Sequence, residues 1–175
     1  AAPENRRTRQ RPGYRTFGYV MVGCGAGHRV AIAEAEEVRL VSEAAAPAPA
    51  WRNSRCFACG SENPRGLRLH FTAGNDTAAA RWVASSDLES FRGVVHGGLV
   101  ATVLDEAMSQ AAATSGSQAL TCELRVRLRR PVAAGEDLEV RGWVVERRKR
   151  RILTEAALCG RDGERAHAWA TFLEL

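Results

Sequence analysis

The residues of this chain that are best placed for chemistry are the triplet His96-Gly97-Gly98 and the acidic pair Asp105-Glu106 in the apolar helical run that follows it. Glycines at a helix start leave outward-pointing backbone N–H groups open to close approach, and the helix dipole adds positive potential there. A carboxylate inside such a helix can act as a general base or as a nucleophile. Together these groups predict a site that activates an attacking group and stabilises an oxyanion.

The helix that must position these groups has a broad apolar stripe, which predicts that it packs against a sheet or a partner. Asp105 and Glu106 are about 100° apart around the axis, so a cleft on one flank contacts only one of them. Asp105 lies on the same flank as Gly98 but roughly 10 Å further along the axis. One helix therefore cannot offer both its N-terminal amides and Asp105 to one carbonyl carbon. This predicts a two-fold dimer in which antiparallel helices share each site.

The rest of the pattern predicts an α+β fold in which an antiparallel sheet wraps around this helix. The helix is expected at about residues 96–114, and strands are expected at 67–71, 78–83, 120–128, 138–145, 152–158 and 166–173. The strand at 120–128 alternates, which predicts that one face carries Leu120, Cys122, Leu124, Val126 and Leu128. Thr121, with the arginines of that strand, is expected on the opposite face.

A longer motif resembles that of the hotdog-fold acyl-CoA thioesterases, the superfamily of the 4-hydroxybenzoyl-CoA and phenylacetate-pathway thioesterases. The motif comprises Gly93-x-x-His96-Gly97-Gly98, Ala101, Leu104-Asp105-Glu106-Ala107, Thr121, and Arg130-Pro131 before Gly135-Glu136-Asp137-Leu138. The resemblance implies the hotdog fold, an antiparallel sheet of five to six strands wrapped around one long central helix, over residues 51–175. It also implies an acyl-CoA thioesterase that forms a homodimer or a dimer of dimers and needs no metal or cofactor.

The resemblance implies a role for each motif residue. Asp105 is the general base or the nucleophile, the Gly97 N–H polarises the thioester carbonyl, and His96 shapes the helix start or takes part in catalysis. Thr121 stands where some relatives use a hydroxyl to hold the attacking water. Ser90 stands where many relatives have an Asn that helps to hold the carbonyl. The residues expected to line the substrate site are Gly93 and Gly98.

The densest charge run extends from Arg147 to Arg151, between two predicted strands. It is either a solvated hairpin or a site for the phosphates of coenzyme A, in which Arg148 and Arg150 reach in from the neighbouring subunit. Trp143 and Trp169 are interpreted as core or subunit-interface residues.

The pair Cys56-x-x-Cys59 is typical of half of a zinc site or of a redox pair. With Asn63-Pro64-Arg65-Gly66-Leu67 it also resembles the opening of one thioesterase branch, which implies that it marks the entry to the domain. There is no second such pair, and Cys24 and His28 lie at no regular spacing from it, so no metal is predicted.

The chain has 175 residues, of which 45% are hydrophobic, and this is enough for one domain with a core and an extension. Residues 1–50 are basic, glycine-rich and then Ala/Pro-rich, which predicts a flexible extension. No segment is long and apolar enough for a membrane span, and the cysteine pattern favours a reduced, cytoplasmic setting. The net charge of +5 suits an anionic ligand such as coenzyme A. No aromatic residues are interleaved with the basic run from Arg147 to Arg151, which disfavours the binding of nucleic acid. The alternative function is a non-catalytic acyl-CoA-binding or sensing hotdog module.

Overall fold

The computed structural model describes residues 54–175, which form one long helix, a large sheet and a small one. The strands are β1 (Thr72–Gly74), β2 (Thr77–Val83), β3 (Glu89–Phe91), β4 (Val94–Val95), β5 (Ala119–Leu128), β6 (Asp137–Arg148), β7 (Arg151–Gly160) and β8 (Gly163–Glu174). Helix α1 spans Gly97–Ala112, with 3-10 turns at Ser86–Leu88 and Ala113–Ser115. The predictions about residues 1–50, including Cys24 and His28, lie outside the described residues.

The large sheet has six antiparallel strands in the order β1-β2-β6-β7-β8-β5, and α1 packs across one of its faces. This confirms the predicted α+β hotdog fold. The helix lies close to the sheet because small residues face it: Ala78, Gly142, Ala156 and Ala168 stand side by side on neighbouring strands. A Cβ atom on Gly142 would lie 2.4 Å from the carbonyl oxygen of Ala107.

The ends of α1 agree with the predicted helix. His96 is the N-cap, and the helix gives way to a 3-10 turn that ends at Gly116, whose φ of 82° requires the left-handed region. At this end Arg147 donates to the carbonyl oxygen of Ala112 at 3.0 Å. Within residues 54–175 no helix has the length and apolar character that a membrane crossing requires.

The predicted strand at residues 67–71 is wrong, because this segment pairs with the Cys-x-x-Cys segment rather than with the sheet. The N–H of Leu67 donates to Phe57 O at 2.8 Å, and that of Leu69 donates to Ala58 O at 2.9 Å. Arg68 lies between them with a φ of 53°, which an extended strand does not allow. The first strand therefore begins at Thr72.

The predicted faces of β5 are wrong at its start, because the pairing of β5 with β8 shifts by one residue at Cys122. Beyond this bulge Leu124 pairs with Ala170, on the face that α1 covers, and before it Thr121 pairs with Phe172 on that same face. Leu120 consequently points to the outer face and is 60% exposed. One inserted position therefore exchanges Leu120 and Thr121 between the two faces.

The interpretation of Trp143 and Trp169 as core residues is also wrong. Both pair with Glu155, in a row on the sheet face that points away from α1. His167 contacts both indole rings, with ring centroids 5.9 Å apart for Trp143 and 4.5 Å for Trp169. The interpretation of these tryptophans as interface residues remains a prediction.

Candidate active site

The N-terminus of α1 offers one open backbone donor. The Nδ1 atom of His96 accepts a hydrogen bond from the Gly98 N–H at 2.9 Å, so the imidazole caps the helix. The Gly97 N–H has no acceptor among residues 54–175. A Cβ atom on Gly98 would lie 3.0 Å from His96 Nδ1, so glycine leaves room for the capping ring. The capping bond thus uses the Gly98 N–H and leaves that of Gly97 free for a ligand.

Asp105 lies half-buried on the flank of α1 that faces β5. The Thr121 hydroxyl donates to Asp105 Oδ1 at 2.9 Å. Burial raises the pKa of the Asp105 carboxyl; the Thr121 hydrogen bond opposes this rise and the charge of Glu106 adds to it. A raised pKa makes Asp105 a stronger base than an ordinary aspartate. The bulge at Cys122 makes the Thr121 contact possible, because it turns Thr121 toward the helix.

A groove between α1 and β5 connects these two groups. At one end Thr121 contacts Asp105, and at the other the Leu128 side chain lies against Gly97, where a Cβ atom would be 2.8 Å from Leu128 Cδ1. Leu128 is 54% exposed and Leu124 between them is 39% exposed, so the chain leaves this groove partly open. Its ends are about 12 Å apart along the helix axis.

Ser90 and Gly93 belong to the β3–β4 hairpin that leads into α1. The Ser90 hydroxyl donates to Val94 O at 3.5 Å, and Gly93 makes the turn with a φ of 78°. The hairpin approaches the helix start because the His96 N–H donates to Leu88 O at 2.8 Å. Among the described residues no hydrogen bond joins Ser90 to Asp105 or Thr121, so Ser90 is not part of the hydrogen-bonded pair that these two form.

The basic run forms the turn between β6 and β7. The Nε atom of Arg148 lies 3.6 Å from Glu146 Oε1, and 80% of the Arg148 side chain is exposed. Arg150 donates to Glu174 O at 2.9 Å. Arg147 instead turns back and donates to Asp76 at 2.6 Å, which holds the pKa of the Asp76 carboxyl below its ordinary value. The predicted phosphate-binding role of Arg148 and Arg150 remains a prediction.

A second polar cluster on α1 was not anticipated from the sequence. Glu106 faces the Cys-x-x-Cys segment, and Gln110, one turn further along α1, is only 6% exposed. The Gln110 amide donates to Glu106 Oε1 at 2.6 Å. The spacing of Glu106 and Gln110, one helical turn apart, was the only signal for this pair.

Comparison with known proteins finds a family that part of this chain resembles. The sequence profile of the thioesterase superfamily matches residues 92–167, which include α1 and the strands β5 to β7. Residues 92–167 thus match this superfamily, and residues 54–175 have the hotdog fold.

Several solved structures resemble the chain. A conserved protein from Pseudomonas aeruginosa is 26% identical, has a TM-score of 0.59 and covers 62% of this chain and 90% of its own. A mutant of the phenylacetic acid degradation protein PaaI from Thermus thermophilus is 24% identical, with a TM-score of 0.59, and covers 62% and 95%. A Streptococcus mutans protein bound to acetyl CoA is 16% identical, with a TM-score of 0.59, and covers 61% and 88%. No curated protein matches the chain.

Proposed function

We propose that the protein hydrolyses an acyl-CoA thioester to a free acid and coenzyme A, with Asp105 as general base or nucleophile and the Gly97 N–H as oxyanion donor. The observation that carries this proposal is the half-buried Asp105 carboxyl, with its raised pKa, held by Thr121 in a groove that ends at an open helix N-terminus. The match of residues 92–167 to the thioesterase superfamily supports it. The acetyl CoA bound to the Streptococcus mutans relative supports the choice of coenzyme A esters.

In the general-base route, Asp105 removes a proton from water as the water oxygen bonds to the thioester carbon. The carbonyl electron pair moves to the oxygen, where the Gly97 N–H and the helix dipole stabilise the negative charge. The intermediate then collapses, the C–S bond breaks, and the thiolate of coenzyme A takes the proton from Asp105. Thr121 orients the carboxylate throughout.

In the nucleophilic route, a carboxylate oxygen of Asp105 attacks the thioester carbon and the coenzyme A thiolate leaves. The product is a mixed anhydride on Asp105, which water then hydrolyses to restore the carboxylate and release the acid. The Gly97 N–H would stabilise the oxyanion in both steps. Both routes use the same residues, so the proposal includes both.

The proposed active unit is a homodimer, because Gly97 and Asp105 of one chain are about 12 Å apart along the helix. Two antiparallel copies of α1 would place Gly97 of one protomer beside Asp105 of the other. Strand β5 is an edge of the sheet, and the exposed apolar residues along it are Leu120, Leu124 and Leu128. A long edge strand with apolar side chains favours pairing with a second copy. The outer face with Trp143 and Trp169 is the proposed contact in a dimer of dimers.

A second candidate function is acyl-CoA binding without hydrolysis. Ser90 favours it, because its hydroxyl is engaged within the hairpin at 3.5 Å and stands where many relatives have an Asn that holds the carbonyl. In this case the groove would bind an acyl-CoA that Asp105 does not attack.

The experiment that tests the proposal measures thiol release from a panel of acyl-CoA thioesters. Wild-type protein is compared with Asp105→Asn and with the control Asp137→Asn, which removes an exposed carboxylate from an ion pair with Arg81. We expect turnover in the wild type and the control and a loss of at least about 100-fold in Asp105→Asn. Saturable binding without turnover in all three proteins would favour the second candidate, and equal turnover would remove Asp105 from its role.

A further inference from the structure

The Cys-x-x-Cys segment brings two thiols to a carboxylate on α1. One ligand atom each from Cys56, Cys59 and Glu106 lies within 4.8 Å of the other two. Cys56 Sγ is 3.7 Å from Glu106 Oε2. All three side chains are half-buried, between the segment and the helix flank next to that of Asp105. Residues 50 positions apart in sequence therefore form one compact donor set.

The spacing of this set suits a tetrahedral metal ion. Typical zinc–sulfur and zinc–oxygen bonds place a thiolate sulfur and a carboxylate oxygen about 3.6 Å apart, and two thiolate sulfurs about 3.8 Å apart. The Cys56–Glu106 separation of 3.7 Å matches the first value. The other two pairs of ligand atoms are at most 4.8 Å apart. A small side-chain rotation would therefore bring all three atoms to metal-bonding distances.

The charges of the cluster favour a cation. Each of the three groups is negative when deprotonated, and within residues 54–175 no arginine, lysine or histidine forms an ion pair with Glu106. The neutral amide of Gln110 donates to Glu106 Oε1 at 2.6 Å and lies 3.6 Å from Cys59 Sγ. This leaves Oε2, the oxygen nearer to Cys56, to face the thiols. An oriented carboxylate of this kind is typical of the groups that surround a bound metal.

The backbone around the thiols is fixed independently of any ion. The Gly60 N–H donates to Cys56 O at 2.9 Å, and a Cβ atom on Gly60 would lie 2.4 Å from Cys56 N, so this tight turn requires glycine. The pairing of Leu67 with Phe57 and of Leu69 with Ala58 holds the segment against the chain that follows it. A site on such a scaffold costs little conformational entropy to fill.

We propose that Cys56, Cys59 and Glu106 bind a thiophilic divalent cation of the zinc type, which joins the Cys-x-x-Cys segment to helix α1. Two sulfur donors select such a metal over magnesium or calcium, which prefer oxygen donors alone. Binding displaces the thiol protons, and water completes the tetrahedron. The sequence predicts no metal because it offers no second Cys-x-x-Cys pair. The fold supplies Glu106, which has no motif spacing from the cysteines, as a third ligand.

The test uses the full chain, purified with reductant, exposed to Zn²⁺ or Co²⁺ and then desalted. Metal content is measured by mass spectrometry, and sulfur-to-cobalt charge-transfer absorption reports thiolate ligation directly. The variants are Cys56→Ser, Cys59→Ser and Glu106→Gln, with Cys122→Ser as the matched control because Cys122 is an exposed free cysteine outside the cluster. A fifth variant, Gln110→Leu, removes the amide that orients Glu106.

We expect about one metal ion per chain in the wild type and in Cys122→Ser, with charge-transfer absorption and a higher Tm when metal is bound. Cys56→Ser and Cys59→Ser should lose the absorption, Glu106→Gln should bind more weakly, and Gln110→Leu should bind about 10- to 100-fold more weakly. The cobalt spectrum of the wild type decides the question even if a variant fails to fold. No retained metal, a disulfide between the two thiols in its place, or equal loss in Cys122→Ser would overturn the proposal.

Discussion

Two flanks of helix α1 carry adjacent carboxylates with different surroundings. On the β5 flank, Asp105 accepts one hydrogen bond, from Thr121, in a groove lined by partly exposed leucines. On the other flank, Glu106 accepts from Gln110 and faces two thiols of the Cys-x-x-Cys segment. The first flank is open along an edge strand, whereas the second is covered by the segment that opens the described part of the chain.

This difference shows that the role of a carboxylate on a helix depends on what the distant chain places beside it. A rotation of about 100° separates the two acids around the axis, so they face different parts of the chain. Burial raises the pKa of Asp105, which pairs with no cation among residues 54–175, and this favours proton transfer. Convergence with two sulfur atoms makes Glu106 a ligand. The following predictions test this division between the two flanks.

The largest expected effect is the contrast in turnover between Asp105→Asn and Glu106→Gln. Removing the base should lower kcat by at least about 100-fold, and general bases contribute up to about 10,000-fold. Glu106→Gln, which removes the ligand carboxylate, should lower kcat by less than about tenfold, because Glu106 acts on Asp105 only through its charge. The measurement is steady-state thiol release by both variants with the best substrate of the wild type. Equal losses in the two variants would show that the flanks act as one site.

A second prediction tests whether the open flank is completed by another copy of the chain. Asp105→Asn and Gly97→Val should each be inactive as homodimers, since one lacks the base and the other blocks the oxyanion donor. After the two are mixed and allowed to exchange subunits, one site in each mixed dimer is intact. Turnover should therefore recover to about one quarter of the wild-type value. No recovery, despite exchange shown by native mass spectrometry, would contradict a site shared between subunits.

A third prediction concerns the hydroxyl on the open flank. The Thr121 hydrogen bond lowers the pKa of Asp105 against the effect of burial, so Thr121→Val should raise that pKa further. Because the base must be ionised, the acidic limb of the pH–rate profile should move to higher pH, with a loss of about tenfold in kcat/KM on that limb. Thr121→Ser keeps the hydroxyl and should restore the profile. An unshifted limb in Thr121→Val would separate Thr121 from the titration of Asp105.

The smallest expected effect is on stability. Because the pKa of Asp105 is raised in the folded protein, ionising its carboxyl lowers the free energy of unfolding. This loss of stability is absent at a pH below the pKa of the unfolded state and complete at a pH above the pKa of the folded state. Asp105→Asn keeps an acceptor for Thr121 without the charge, so its Tm should exceed that of the wild type by a few degrees at pH 7. The gain should vanish as the pH falls below the ordinary aspartate range. Thermal unfolding across this pH range checks the sign, and a lower Tm at pH 7 would contradict it.

The sequence predicted the fold well where local signals agree. The apolar stripe and the capping residues placed α1, and alternation placed β2 and the last three strands, because these signals depend on neighbouring residues. The segment at residues 67–71 has strand-like composition, but its backbone groups bond to Phe57 and Ala58 instead of the sheet. Pairing partners of this kind cannot be deduced from composition.

The candidate site was predicted only in part for the same reason. Asp105, Gly97 and His96 lie on one continuous element, so their spacing fixes their relative positions. The contact between Asp105 and Thr121 depends on the bulge at Cys122, which has no composition signal in a well-alternating strand. Glu106 meets the cysteines only after the opening segment folds over the helix, which spacing in the sequence does not specify.

The bulge at Cys122 makes the polarity beside Asp105 a matter of how the strand accommodates one residue. Deleting Cys122 would leave Thr121, Glu123 and Leu124 in a regular ladder with β8, so Thr121 would still face Asp105. Keeping Cys122 in a regular ladder without the bulge would instead direct Leu120 toward Asp105 and Thr121 toward the outer face. The bulge therefore decides between a hydroxyl and an aliphatic side chain beside the carboxylate, even where every residue is the same.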